Sequence, residues 1–403
     1  MSDQKPLNNY DICIFGNSEH SFNTALENAR GGAHTALIHT KEAGDRDFAP
    51  KENIILETLY ASAALAQSFR SADHFGIEPE NPKVNWPKVK THIRDSLDRI
   101  TPHYSFDKLS GLGVEIIQGP LSQDDASSAK QSIHETPNPS APEYEGLYET
   151  NPLTLLDITN WEALPEHLII LGGCGHSITL AQSLSRLGCK TTLVSADLIS
   201  EALDRELYNI LYQRFEQEGI RLIQNADITN IESSEGITVH MMHENTKRRV
   251  SGSHILVMPA DEETTEAFAL ADPAFAQIGL TENKAREKFG AGKFHITKWR
   301  YQESDFAITQ RTNNGLLKII THTDGTVLGV GVCGAQALEL IGPWSIALQQ
   351  ALRLSDMQNL IAPHSAYSRM SAQAIEGYIA QIANPARQFK PGSFWQSLIG
   401  AGQ

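Results

Sequence analysis

The sequence predicts an α/β protein made of two tandem strand-turn-helix-strand units followed by an α+β module, and three observations carry that prediction. The stretch DICIFGNSEHSFNTALENARGGAHTALIH, Asp11 to His39, is one such unit, and LIILGGCGHSITLAQSLSRLGCKTTLVS, Leu168 to Ser195, is another. Gly16 stands 23 residues before His39, and Gly172 stands 23 before Ser195, so the two units share one spacing. Downstream, GLLKIITH and TVLGVGVCG flank Thr323-Asp324-Gly325 as a hairpin.

Each element follows in order. Tyr10 to Phe15 is an apolar run of buried-strand type, Ser21 to Arg30 a helix closed by Gly31-Gly32, and His34 to His39 a second strand. In the second unit Leu168 to Leu171 is a strand and GGCGHS a glycine-bearing turn. ITLAQSLSRLG is a helix ending at Gly188, and KTTLVS a strand. Ser122 to Tyr148 is rich in serine, proline and acid and reads as a linker or surface excursion. GITVHMM and HILVMP continue as strands, and Ala335 to Leu352 is helical. The expected division is 1–125, a linker at 126–160, a second domain at 161–265, a third at 268–384 and a tail at 385–403.

Composition narrows the function classes. The chain has 403 residues, with 33 basic against 48 acidic and a net charge of −15, which excludes nucleic acid and anionic membrane as main partners. The polar start MSDQKPLNNYD is no signal peptide, and no apolar run approaches the roughly 18 residues of a spanning helix, so a cytoplasmic location is expected. Cys13, Cys174, Cys189 and Cys333 are scattered, with no CxxC or CxxxxC pair.

The two turns are of the Rossmann kind by position. Such a turn needs glycine for the tight bend, for close approach of pyrophosphate to backbone N–H groups, and for helix-strand contact. In the first, G-x-G-x-x-G reads Gly16-Asn17-Ser18-Glu19-His20-Ser21, and His39 stands where a ribose-binding carboxylate belongs. In the second, Gly172-Gly173-Cys174-Gly175-His176-Ser177 keeps more glycine but ends its second strand at Ser195, again without the acid. FAD is therefore expected to be disfavoured at Gly16. NAD(P) stays open at Gly172, Gly173 and Gly175.

The order of parts resembles the flavin-dependent pyridine nucleotide-disulfide oxidoreductases, the family of dihydrolipoamide dehydrogenase and mercuric reductase. Asn85 to Gly119 (NWPKVKTHIRDSLDRITPHYSFDKLSGLGVEIIQG), TNWEALPEHLIILGG, RFEQEGIRLI and DPAFAQIGLTENKAR are similar to that family's text, from about Tyr10 to Gly377. The resemblance implies an FAD-type domain, an NAD(P)-type domain and a dimerisation domain. It also implies a redox pattern G-G-T-C-x-x-x-x-C-x-P-S-K, which laid on Gly44 to Leu56 puts Asp47 and Glu52 where the cysteines belong. It implies further a C-terminal His-x-His-Pro-x-x-x-Glu segment, matched here by Ala362 to Arg369, which keeps His364 but replaces its orienting glutamate with Arg369. An apolar strand ending in Ala-x-Gly-Asp is missing before DPAFAQIG.

Fold inherited in this way does not carry function with it. Two carboxylates at 47 and 52 support neither a disulfide nor a thiolate. No metal is expected, since nothing nearby supplies further ligands. The expectation is a catalytically inactive, flavin-free homologue, a dimeric scaffold, regulator or partner subunit, with Phe394 and Trp395 of the tail as a docking anchor. The alternative is an NAD(P)H-binding oxidoreductase or nucleotide sensor with non-dithiol chemistry.

Overall fold

The computed structural model describes residues 9–40, 47–119, 130–135, 143–197, 199, 203–234, 236–258 and 266–383. Phe394 and Trp395 lie outside the described residues. Among the described residues no helix is long and apolar enough to cross a membrane.

The first unit is built from β1 (Ile12–Phe15), α1 (Glu19–Arg30) and β2 (Thr35–His39). Helix α1 begins two residues before the sequence reading because the Ser18 side chain accepts the His20 N–H and caps it. There follow α2 (Lys51–Arg70), α3 (Trp86–Ile100), α4 (Phe106–Gly111), β3 (Glu115–Gln118) and β4 (Ser132–His134). The four strands make a parallel sheet in the order β3-β2-β1-β4. Strand β4 falls inside the expected linker at 126–160, and that reading is corrected. Its short alternation is masked by the polar residues around it, and it is a strand because β1 offers an open edge. The later part of the same segment also packs, with Leu155 and Ile158 buried in the main core.

The second unit comprises β5 (His167–Leu171), α5 (Gly175–Leu187), β6 (Lys190–Val194), α6 (Arg205–Gln217) and β7 (Arg221–Ile223). An antiparallel three-stranded sheet of β8 (Asp227–Ser233), β9 (Ile237–His243) and β10 (Thr246–Gly252) intervenes. Strand β11 (His254–Val257) then returns beside β5, giving the parallel order β11-β5-β6-β7. Strand β5 is apolar through Leu168–Leu171 because both of its faces are covered.

The third part holds β12 (Ala267–Ala269), β13 (Phe275–Gly279), α7 (Glu282–Phe289), β14 (Phe294–Arg300), α8 (Asp305–Thr309), β15 (Leu316–His322) and β16 (Val327–Cys333). Its antiparallel sheet runs β12-β13-β16-β15-β14. Residues Ala335 to Leu352 carry two short helices, α9 (Ala337–Leu340) and α10 (Gly342–Gln349), before α11 (Ser368–Ala383). Pro343 has no N–H to continue a helix from α9 and suits the first turn of a new one.

One core joins all three parts. Ile55, Leu56, Leu59 and Ala63 of α2 lie with Ile178, Ala181 and Leu184 of α5, and with Phe275, Leu316 and Cys333 of the third part. Two charge clusters add direction to that interface. The buried Lys318 ammonium donates to Asp204 at 2.9 Å and Glu282 at 2.6 Å and pairs with Glu206 at 2.9 Å. Arg186, itself buried, pairs with Asp272 at 2.7 Å and donates through Nε to Glu218 at 2.9 Å. For both Glu206 and Glu282, burial raises the carboxyl pKa, and hydrogen bonds, from Lys298 and Lys318 to the first and from Lys318 and Arg286 to the second, more than offset it, leaving it below the ordinary value.

Removing one partner of such a buried cluster strands the others without compensation. Lys318→Ala is therefore expected to lower stability by about 3–5 kcal/mol, measured by urea unfolding. Because the two glutamates are depressed in the folded chain, their contribution is complete above their unfolded value near pH ~4.3. It is lost as pH falls through the lower folded values. An unfolding midpoint in Lys318→Ala that matches wild type at pH 7 would refute the cluster's role.

Candidate functional site

The sequence singles out two turns, a pair of carboxylates and one histidine. In a parallel sheet ordered β3-β2-β1-β4, the chain leaves β1 toward β2 on one side and β4 lies on the other. The crevice for a ligand therefore opens beyond the carboxyl ends of β1 and β4. Gly16 and the N-terminus of α1 sit at that place.

The crevice is closed by this chain's own groups. One carboxylate oxygen of Glu135, the residue after β4, accepts the backbone N–H of Asn17 at 2.7 Å, that of Ser18 at 3.2 Å, and the Ser21 hydroxyl at 2.8 Å. Burial pushes the Glu135 carboxyl pKa up, but the donors from Ser18, Ser21 and Asn17 more than reverse this and hold it below the ordinary range. Gly16 has the close approach the motif requires, though to protein: a Cβ there would fall onto Ser21 Oγ and the Glu135 carboxylate. On the opposite side the Asn17 side chain exchanges two hydrogen bonds with Thr40, 2.8 Å and 3.0 Å, tying the turn to the end of β2.

The other substituted positions have structural partners as well. His39, at the ribose position, is buried, its ring 4.7 Å from Phe106 and edge-on to Phe48. Glu19 accepts a hydrogen bond from the Tyr104 hydroxyl at 3.1 Å.

At the second turn Gly172 has φ 148°, a conformation that favours glycine, and its N–H donates to Val194. A Cβ on Gly173 would meet Ser195 Oγ, and one on Gly175 would fall onto the carbonyl oxygen of Phe268 in β12. Cys174 caps α5, its sulfur accepting the Ser177 N–H at 3.4 Å.

Asp47 accepts the Ala49 N–H at 3.0 Å and pairs with Lys51 at 3.1 Å, shaping the entry into α2, while Glu52 is exposed on the first turn. His364 is exposed in the loop before α11, and Arg369 pairs with Glu376 at 3.8 Å. Sequence reasoning missed Glu135, the residue whose carboxylate accepts the backbone N–H groups of the first turn. Its signal was the acid directly after Ser-Ile-His, hidden because that run was taken for linker.

Comparison with known proteins gives the family context. Residues 265–375 match the family model "Pyridine nucleotide-disulphide oxidoreductase, dimerisation domain", and residues 167–246 match "Pyridine nucleotide-disulphide oxidoreductase". A dihydrolipoyl dehydrogenase of Bacillus subtilis is 24% identical, covering 91% of this chain and 97% of that one. A mercuric reductase of Streptomyces lividans is 21% identical over 65% of this chain, which spans 58% of its length. Among solved structures, LpdA of Mycobacterium tuberculosis has a TM-score of 0.73 at 18% identity, covering 91% of this chain and 99% of that one. The HOCl-induced flavoprotein disulfide reductase RclA of Escherichia coli has 0.70 at 16%, with the same coverage.

These findings correct the expectation that no cofactor belongs here and that FAD is disfavoured. The relatives are FAD-dependent enzymes that use NAD(P)H, so the glycine count alone was too narrow a basis. In the structure Glu135 accepts the two backbone N–H groups of the first turn that would face a diphosphate. Two consecutive matches, in the order the fold requires and with relatives aligned over nine-tenths of the chain, make residues 167–375 similar to the pyridine nucleotide-disulphide oxidoreductase family.

Proposed function

We propose that this chain is a homodimeric family member without dithiol chemistry, one that acts through binding, as a regulator, scaffold or partner subunit. The observation that carries this reading is the state of its sulfur. All four cysteines are buried, in β1, at the cap of α5, before β6 and at the end of β16. Burial raises the Cys13 and Cys189 thiols, the latter to about 11, and raises that of Cys333 further still. A thiol held protonated in this way is neither a nucleophile nor half of an exchanging pair. Asp47 and Glu52, at the positions the redox pattern assigns to cysteine, have no sulfur to offer. His364 is exposed, and among the described residues no carboxylate is hydrogen-bonded to it.

The dimer rests on the C-terminal match and on an apolar face of that part. Ile361 is 94% exposed and Ile346 is 60% exposed, and Ile361 borders a cavity of about 300 Å³ with Leu340, Pro343 and Leu360. Apolar side chains left in water at this density are what a second copy covers.

A second reading, an NAD(P)H-dependent oxidoreductase or nucleotide sensor without a dithiol, is favoured by one observation, the family match over residues 167–246 that spans the second turn.

With FAD, NADH and NADPH supplied, the chain is expected to reduce neither lipoamide nor an aromatic disulfide, and alkylating its thiols is expected to change nothing. Turnover abolished by alkylation would overturn the reading. NADH consumption with a non-disulfide acceptor would replace it with the second. Light scattering is expected to show a dimer of the 44.3 kDa chain. Ile346→Glu, which places a charge in the apolar face, is expected to shift it toward monomer with unchanged circular dichroism. A wild-type monomer at high concentration would remove the dimer from the proposal.

A further inference from the structure

We propose that Glu135 is an intramolecular gate on the first dinucleotide turn, its carboxylate occupying the anion position so that a phosphate-bearing ligand enters only by displacing it. The proposal goes beyond the reading above and stands whether or not the chain reduces disulfides.

Three features of the site carry it. The first is the identity of the donors. The N–H groups of Asn17 and Ser18 are those that the glycine turn of a strand-turn-helix unit presents to a diphosphate, and both point to one oxygen of Glu135, at 2.7 Å and 3.2 Å. The second is the Ser21 hydroxyl, which is buried and adds a third hydrogen bond at 2.8 Å to the same oxygen. Three donors converging on one carboxylate oxygen make an anion site that is already filled. The third is Gly16, where a Cβ would fall onto both Ser21 Oγ and the Glu135 carboxylate, so the turn still has the cradle a close-approaching anion needs.

The carboxylate is held there by its backbone. The Glu135 N–H donates to the Phe15 carbonyl at 2.8 Å, continuing the β1–β4 ladder past its last paired residues. The His134 ring stacks on Phe15 at 4.4 Å and fixes the preceding residue. The Cα of Glu135 is thereby pinned beside the turn, and only its side-chain torsions are left to move. Rotating the carboxylate out frees both N–H groups and the hydroxyl together without breaking a strand. A ligand phosphate would then find two backbone donors, one hydroxyl and the positive end of α1. Ligand and Glu135 compete for the same three donors, and the internal group has the advantage of being tethered.

The test is a titration of FAD into the full chain, followed by flavin fluorescence and calorimetry, with wild type, Glu135→Ala and Glu135→Gln. Removing the carboxylate is expected to tighten FAD binding by about tenfold or more. Glu135→Gln, which keeps the shape and loses the charge, is expected to fall between the two. Raising ionic strength is expected to narrow the difference little, since the competing groups are partly buried. Equal affinity in wild type and Glu135→Ala overturns the proposal, including the case in which neither binds measurably. Should Glu135→Ala fail to fold, Glu135→Gln decides alone: affinity above wild type supports the gate, and affinity equal to or below it overturns the gate. None of these outcomes depends on disulfide reduction, which tests the functional reading separately.

Discussion

The packing of α2 against α5 is the contact on which the arrangement of this chain depends. Helix α2 belongs by connectivity to the first unit, yet its buried side chains Ile55, Leu56, Leu59 and Ala63 lie in the core of the second. The first sheet has only a small core of its own, centred on Ile14, Phe22, Leu37, Phe48 and Phe106. It is positioned because its longest helix is buried elsewhere. Burial of several large aliphatic side chains, each contributing about 1.5–3 kcal/mol, is enough to fix that helix. No residue of either glycine turn takes part except Cys174. The turns are therefore free to vary in sequence while the fold persists, and the substitutions at Ser18, Ser21 and His39 have the room to occur.

Charge clusters give the junction between the second unit and the third part its registry. Apolar surfaces slide with little penalty, whereas Lys318 surrounded by Asp204, Glu206 and Glu282 has one position in which all three carboxylates are met. Arg186 does the same between Glu218 and Asp272 on the other side. The first ties the start of α6 to β15 and α7, and the second ties α5 to Asp272 between β12 and β13.

Much of this was legible in the sequence, and the exceptions have physical causes. Both strand-turn-helix-strand units, the hairpin at Thr323-Asp324-Gly325 and the α+β module could be read because periodicity and glycine placement report local structure directly. Strand β4 could not: its three residues, Ser132–His134, carry one apolar side chain, and they are a strand only because β1 has a free edge. Glu135 was lost with it, since 118 residues separate it from the Asn17 N–H it accepts. A motif scan sees which residues a turn has lost and cannot see which distant side chain has arrived. The same blindness made glycine loss look like loss of a cofactor, when the positions had acquired new internal partners.

The two turns are filled by different kinds of group, and this makes them unequal. At the first, the occupant is a side chain, and clearing it exchanges three hydrogen bonds with protein for three with water or ligand, with no strand disturbed. At the second, the atom against Gly175 is the backbone carbonyl of Phe268, in a strand paired with β13 through Ala267, Phe268 and Ala269. Drawing that carbonyl away means lifting β12 from the edge of a five-stranded sheet. It also means moving a strand that shares its core with α5, since Ala269 is buried there. An opening of that size is a sub-global event, whereas rotation of Glu135 is a local one. Of the two turns in this chain, the first, poorer in glycine, is the one that can change state quickly, and it owes that property to a residue outside the motif.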